Sequence, residues 1–267
     1  MRTFVQAIRS VLFYLAFLGQ TVILALVVGS IEFATRHWAE PPGIILTIGR
    51  YWGQSNKWLL HHLVGIRSDV GGTENIPEGG CLIVSKHQSD WDIFAILPHA
   101  KKPAFIAKKE LLDIPFFGWA ARRLDTIPID RKKGSEAIPQ MLADAADAVG
   151  RGAQIIIFPE GTRKAPLAPP DYRYGVVRLY QALNVPVVPV ALNSGLFWGR
   201  NSLILWPGTA RARFLPAIEP GLAANDFLER LVQAIESETK SLIRGAVDEG
   251  LSRPLTGELR SRIETLR

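Results

Sequence analysis

The stretch Cys81-Leu82-Ile83-Val84-Ser85-Lys86-His87-Gln88-Ser89-Asp90-Trp91-Asp92 joins a strand to a helix. Its first five residues are a short apolar run behind Gly79-Gly80, which predicts a buried strand. Ile93-Phe94-Ala95-Ile96-Leu97 then reads as the start of a helix. His87 therefore stands where a strand hands over to a helix, the place where open α/β sheets keep their chemistry. With Ser89 or Asp90 as the cap, Asp92 falls in the helix's first turn and can fold back toward the imidazole. A carboxylate on one ring nitrogen fixes the tautomer and leaves the other nitrogen free to take a proton. Taken alone, such a pair is most often a surface or core contact. Its meaning comes from the rest of the chain.

Outward from this stretch, short apolar runs recur at Ala104–Ala107, Thr126–Asp130, Gln154–Phe158, Val187–Leu192 and Arg211–Leu215, each read as a strand. Helical patterns fall between them. Phe116–Leu124 is one; a second follows Ser135, with Ile138, Met141, Leu142, Ala145 and Val149 at helical spacing; Val176–Leu183 is a third. An amphipathic helix over about 225–248 carries Phe227, Leu228, Leu231, Ile235, Leu242 and Ile243 on its apolar side. Val70–Pro77 reads as a Gly-containing approach to the first strand, and the charged tail after Pro254 as an end that frays. Strands alternating with helices give an α/β domain over 67–267.

Residues 1–66 are expected to form a two-helix membrane anchor. Val11–Ile31 runs for 21 residues without a charge, enough at about 1.5 Å per residue to match a bilayer core. It is too long for the apolar part of a signal peptide. After Pro41-Pro42-Gly43, Ile44–Ile66 mixes aliphatic residues and Trp52 and Trp58 with Arg50, Lys57, His61 and His62, the composition of a lipid interface. With Arg2 and Arg9 ahead of the first segment, a hairpin keeps both ends and the catalytic part on the cytoplasmic side of the membrane. Two core helices are the alternative.

The charge of +6 points to an anionic partner. No nucleic-acid-binding motif is present, and a membrane segment explains the basic residues more simply. One cysteine excludes an internal disulfide. His37, His61, His62 and His99 form no ligand cluster with His87, so no metal is expected. From Lys101 to Lys133 there are nine Lys or Arg against four Asp or Glu, beside Ile114, Phe116, Phe117 and Trp119, a face suited to an anionic amphiphile. Phe158-Pro159-Glu160-Gly161-Thr162-Arg163 closes a strand with a glycine turn and a guanidinium fork that suits phosphate.

Together these stretches resemble the glycerophospholipid acyltransferase family, typified by the 1-acyl-sn-glycerol-3-phosphate acyltransferases. The resemblance spans roughly residues 70–195. It rests on Gly72-Thr73-Glu74-Asn75-Ile76-Pro77, the His-x4-Asp of His87 and Asp92, Lys108-Lys109-Glu110-Leu111 with Ile114-Pro115-Phe116-Phe117-Gly118, Ile127–Arg131, Phe158–Arg163 and Val185-Pro186-Val187-Val188-Pro189-Val190. It implies a central mixed β-sheet flanked by helices, and transfer of a fatty acyl group from acyl-CoA or acyl carrier protein to the sn-2 hydroxyl of a lysophosphatidic acid. No bound cofactor is implied.

By the same resemblance His87 is the general base and Asp92 its orienter. Lys108, Lys109, Arg131 and Arg163 hold the acceptor's phosphate, with Gly161 and Thr162 shaping that pocket. Glu160 either orients Arg163 or contacts the acceptor's polar end. Pro186 and Pro189 set the strand on the acyl or thioester side. Other lysophospholipids or lyso-aminolipids as acceptors, and a thioesterase or lipid hydrolase in which His87 activates water, are the competing readings. Two positions depart from the family pattern. Lys86 stands where Asn is usual, and Asp171-Tyr172-Arg173-Tyr174-Gly175 replaces a more Lys-rich stretch.

Overall fold

The computed structural model describes residues 2–35, 43–114, 117–255 and 257–266. His37, the Pro41-Pro42 break and Pro115-Phe116 lie outside them. Among the described residues, seven strands form one mixed sheet: β1 (Ile66–Gly71), β2 (Cys81–Ser85), β3 (Pro103–Lys108), β4 (Ile127–Ile129), β5 (Gln154–Ile157), β6 (Val187–Leu192) and β7 (Gly208–Phe214). Their order across the sheet is β1-β7-β6-β2-β5-β3-β4. β6, β2, β5, β3 and β4 run parallel, while β7 is antiparallel to β6 and β1 follows β7. The carboxyl ends of five strands therefore open on one edge.

The central strands bury both faces, which is why they read as continuous apolar runs rather than as alternation. β1 escapes detection in the sequence because Arg67, Ser68 and Asp69 interrupt it at the sheet's edge, where one side meets solvent.

Helices cover the two faces: α3 (Trp91–Ile96), α4 (Phe117–Arg123), α5 (Ile138–Gly150), α6 (Gly175–Leu183), α7 (Ala224–Asp248) and α8 (Gly257–Glu264). Alternate strand residues feed two cores. Cys81, Ile83, Ile156 and Val190 face one, with Phe94 of α3 and Leu259 and Ile263 of α8. Leu82, Val84, Ile155 and Ile157 face the other, with Met141 of α5, Leu179 of α6 and Phe227 of α7. Within the tail after Pro254, α8 is packed rather than frayed, burying Leu259 and Ile263.

Two further helices precede β1: α1 (Arg2–Thr35) and α2 (Ile44–Leu59), the latter continuing through a π-helical turn over Leu60–Val64. Thr3–Thr35 is long and apolar enough to cross a membrane. Its first half is nonetheless fastened to the sheet domain. Phe13 is fully buried, edge-on to Trp198 at 5.4 Å, and shares a core with Phe94, Leu60 and Val190. Gln6 donates to the carbonyls of Val64 and Leu205 at 3.1 and 2.8 Å, and the Ser10 hydroxyl accepts from Leu205 N at 2.9 Å. Tyr14 donates to the Ser202 carbonyl at 2.6 Å. Packing is thus continuous across residue 66. Phe13→Ala is expected to lower the unfolding free energy of the detergent-solubilised protein by about 3–5 kcal/mol. A sheet domain that melts unchanged in this variant would mean that α1 contributes nothing to its core.

Candidate active site

β2 ends at Ser85, and the chain turns through Lys86-His87-Gln88-Ser89 before α3 begins. Asp92 in the first turn of α3 is fully buried, and its carboxylate organises the turn. Oδ2 accepts the backbone N–H groups of Gln88 at 2.7 Å and Ser89 at 2.9 Å, and lies 2.9 Å from His87 Nδ1. Oδ1 accepts the Ser194 hydroxyl at 2.5 Å. Three donors already converge on this carboxylate, so the imidazole meets it as a fourth, through Nδ1–H. Nε2 is left as the acceptor. The ring stacks on Phe158 of the neighbouring strand end, centroids 4.1 Å apart and planes at 22°.

His87 opens on a cavity of about 480 Å³. Its mouth carries charge: Asp90, Lys108, Arg131 and Arg163, with Gly161 and Thr162 beside them. Its depth is apolar, lined by Phe105 and Ile106 of β3, Leu112 and Leu124, and roofed by α1 and α2. On α1 the lining residues are Thr21, Leu24, Ala25 and Val28, one stripe at helical spacing. Trp52 of α2 completes the roof, its indole donating to Thr21 at 2.9 Å.

The turn after β5 places the cations. Gly161 sits at φ +66°, a left-handed conformation that a side chain would strain, and its N–H closes on the Phe158 carbonyl at 2.9 Å. Arg131, leaving β4, donates to the Gly161 carbonyl. Arg163 donates through Nη1 to Asp90 at 2.6 Å. Burial raises the Asp90 carboxyl above the ordinary range, the Arg163 guanidinium pulls it back, and the neighbouring Asp92 raises it further.

Several expected site residues stand elsewhere. Glu160 is fully buried and turned away from the cavity, with Oε1 3.0 Å from Lys86 Nζ and Oε2 accepting the His87 backbone N–H at 3.0 Å. It meets neither Arg163 nor the mouth, because Lys86 and the His87 amide take its two oxygens. Lys109 begins a 3-10 turn after β3, is exposed, and does not line the cavity. Pro186 lies at the amino end of β6, opposite the site edge, where its carbonyl accepts from Leu82 N. Pro189 is buried mid-strand, paired with Val84. Neither proline lines the cavity. Phe116 lies outside the described residues.

Ser194 is the residue that sequence reasoning missed. It follows β6, whose end reaches the same edge as that of β2, so Asn193-Ser194-Gly195 faces the His87 turn. Gly195 N–H donates to the Gln88 side chain at 3.0 Å, and a Cβ on Gly195 would come within 3.0 Å of that side chain. A small polar residue just past a parallel strand was the available signal. Cys81, by contrast, lies in the core, and burial pushes its thiol up to about 12, so it is no nucleophile.

With this geometry in place, comparison with known proteins is informative. Residues 67–193 match the Acyltransferase family. The chain is 35% identical over 242 residues to the 1-acyl-sn-glycerol-3-phosphate acyltransferase of Pseudomonas aeruginosa, covering 90% of this chain and 93% of that protein. The chain belongs to this acyltransferase family. It is 32% identical over 176 residues to the human 1-acyl-sn-glycerol-3-phosphate acyltransferase alpha, covering 63% of this chain and 62% of that one. The crystal structure of the 1-acyl-sn-glycerophosphate acyltransferase PlsC from Thermotoga maritima shares the fold, with a TM-score of 0.74, 22% identity and coverage of 91% of this chain and 99% of that chain. In this acyltransferase, Ser194→Ala removes one of the four contacts to Asp92. It is expected to lower kcat/KM roughly tenfold while the protein still folds, since a hydrogen bond to a charged group is worth about 1.5 kcal/mol or more. Steady-state kinetics on the purified variant checks this.

Proposed function

We propose that the protein transfers a fatty acyl group from a thioester donor, acyl-CoA or acyl carrier protein, to the sn-2 hydroxyl of 1-acyl-sn-glycerol-3-phosphate, giving phosphatidic acid. The observation that carries this reading is a His-Asp pair set between a cationic mouth and a deep apolar cavity. An alcohol is a poor nucleophile at neutral pH, and a base that takes its proton during attack contributes about 10²–10⁴ in rate. His87 Nε2 accepts the acceptor's hydroxyl proton as the oxygen attacks the thioester carbon. The tetrahedral intermediate expels the thiolate, which takes that proton back from His87, and ester and free thiol leave. Asp92 keeps Nδ1–H directed and steadies the transient imidazolium.

Arg163, Arg131 and Lys108 line the cavity together, which supports a grip on the acceptor's phosphate. Asp90 holds one of the five N–H donors of Arg163, which fixes the fork in place before substrate arrives. The apolar depth suits an acyl chain. The outer side of α1 supports a membrane setting. Phe4, Ile8, Leu12, Leu15, Leu18, Ile23 and Leu26 are exposed there, while Gln6, Ser10 and Phe13 on the other side are held by protein. A helix so divided lies along the cytoplasmic leaflet with its apolar side in lipid.

The test is release of free thiol from a long-chain acyl-CoA or acyl carrier protein, with and without lysophosphatidic acid. The expected outcome is release that requires the acceptor and falls at least about 10²-fold in His87→Ala. In Arg163→Ala the acceptor KM is expected to rise about tenfold or more, because a charge-assisted contact to phosphate is lost. Thiol release that ignores the acceptor would identify a thioesterase instead.

A further inference from the structure

Lys86 precedes the base in sequence, yet it is fully buried and does not line the cavity. A buried ammonium requires partners. Lys86 Nζ lies 3.0 Å from Glu160 Oε1 and 2.6 Å from Glu236 Oε1 of α7. The Tyr172 hydroxyl donates to the same Glu236 oxygen at 2.9 Å, and its ring lies beside the ammonium, 5.8 Å from Nζ to the ring centroid. Burial and the carboxylates of Glu236 and Glu160 push the Tyr172 phenol up, so it stays a donor. None of these four residues lines the cavity, so none contacts substrate there.

The cluster is not balanced by itself. Two carboxylates face one ammonium, and two neutral donors add to it. Tyr172 supplies one. The other is the backbone N–H of His87, which donates to Glu160 Oε2 at 3.0 Å. His87 is thereby held at several points. Asp92 holds its ring, Glu160 its amide, and the Lys164 N–H its carbonyl at 2.8 Å. Without Lys86, Glu160 would have no fixed place against that amide. An Asn at position 86 is neutral and too short to bridge two carboxylates from different elements, so this arrangement belongs to the lysine.

We infer that Lys86 is a positioning residue for His87, holding Glu160 against the His87 amide and anchoring that amide to α7 through Glu236. This rests on the reading of His87 as the base. If the inference holds, disturbing a helix side chain that no substrate touches changes the chemical step.

The experiment measures the single-turnover rate of acyl transfer from acyl-CoA to lysophosphatidic acid by the full-length protein in detergent. KM for both substrates and thermal unfolding are recorded alongside, for wild type, Glu236→Gln, Tyr172→Phe, Lys86→Met and His87→Ala. Glu236→Gln keeps size and a carbonyl oxygen while removing the charge. It is expected to slow the single-turnover rate about tenfold or more, with both KM values unchanged and unfolding still cooperative. Tyr172→Phe removes one donor from Glu236 and gives a smaller loss in the same rate. Should Lys86→Met fail to fold, pairing it with Glu160→Gln removes the fully buried one of the two carboxylates left without the ammonium, and that protein is expected to fold and remain slow. Folded Glu236→Gln and Tyr172→Phe that transfer at the wild-type rate, beside an inactive His87→Ala, would overturn this inference alone. A loss confined to KM or to unfolding temperature would overturn it equally, as the mark of a merely structural cluster. Activity surviving in His87→Ala would overturn the general-base reading and this inference together.

Discussion

A carboxylate with no access to water has to find its donors inside the protein, and Asp92 finds four. Two are backbone N–H groups of the turn after β2, one is the imidazole, and one is a hydroxyl from the turn after β6. Leaving such a group unpaired costs several kcal/mol, so the turn, the ring and the β6 loop settle together or not at all. The orientation of His87 follows from this constraint. It is an outcome of burying a charge, and the same burial excludes the water that would compete for Nδ1.

That convergence is possible because the strands run the same way. β6, β2, β5, β3 and β4 are parallel, so their carboxyl ends bring Ser194, His87, the Glu160–Arg163 turn, Lys108 and Arg131 to one edge. At that edge the hydrogen-bond ladders have ended, and the turn residues are free to serve a site. β7 and β1 run in the opposite direction and extend the sheet without bringing a residue to the mouth. Their contribution is to the core, through Ala210, Ala212 and Phe214.

Much of this was legible in the residues, and the limits have physical causes. Continuous apolar runs marked the central strands because both faces are buried. β1 stayed hidden because an edge strand tolerates Arg67 and Asp69. The pairing of His87 with Asp92 followed from local spacing, whereas Ser194 lies over a hundred positions away and enters through topology alone. Glu160 was misplaced for a related reason. The motif fixes its neighbours in sequence, but the direction of its side chain depends on Lys86 and Glu236, one of them on a distant helix. The two prolines entered through the family resemblance alone. Pro189 sits at a ladder position that needs no N–H, with its carbonyl accepting from Leu215.

The stripe on α1 shows a different limit. Val11–Ile31 is apolar all round, so periodicity cannot say which side does what. Packing divides it. Phe13 and Phe17 face the sheet domain, Thr21, Leu24, Ala25 and Val28 face the cavity, and Leu18, Ile23 and Leu26 face outward. A helix in this place meets protein, ligand and surroundings on three sides, and all three are apolar along most of its length. A uniformly hydrophobic segment is therefore what the position demands, even though the helix performs the work of a roof. Polar residues appear where it touches backbone that lacks partners, at Gln6, Ser10 and Tyr14. Those three mark the half of α1 that is protein core; further along, Gln20 and Thr21 bond side chains of α2 instead, Ser55 and Trp52, where α1 passes over the cavity.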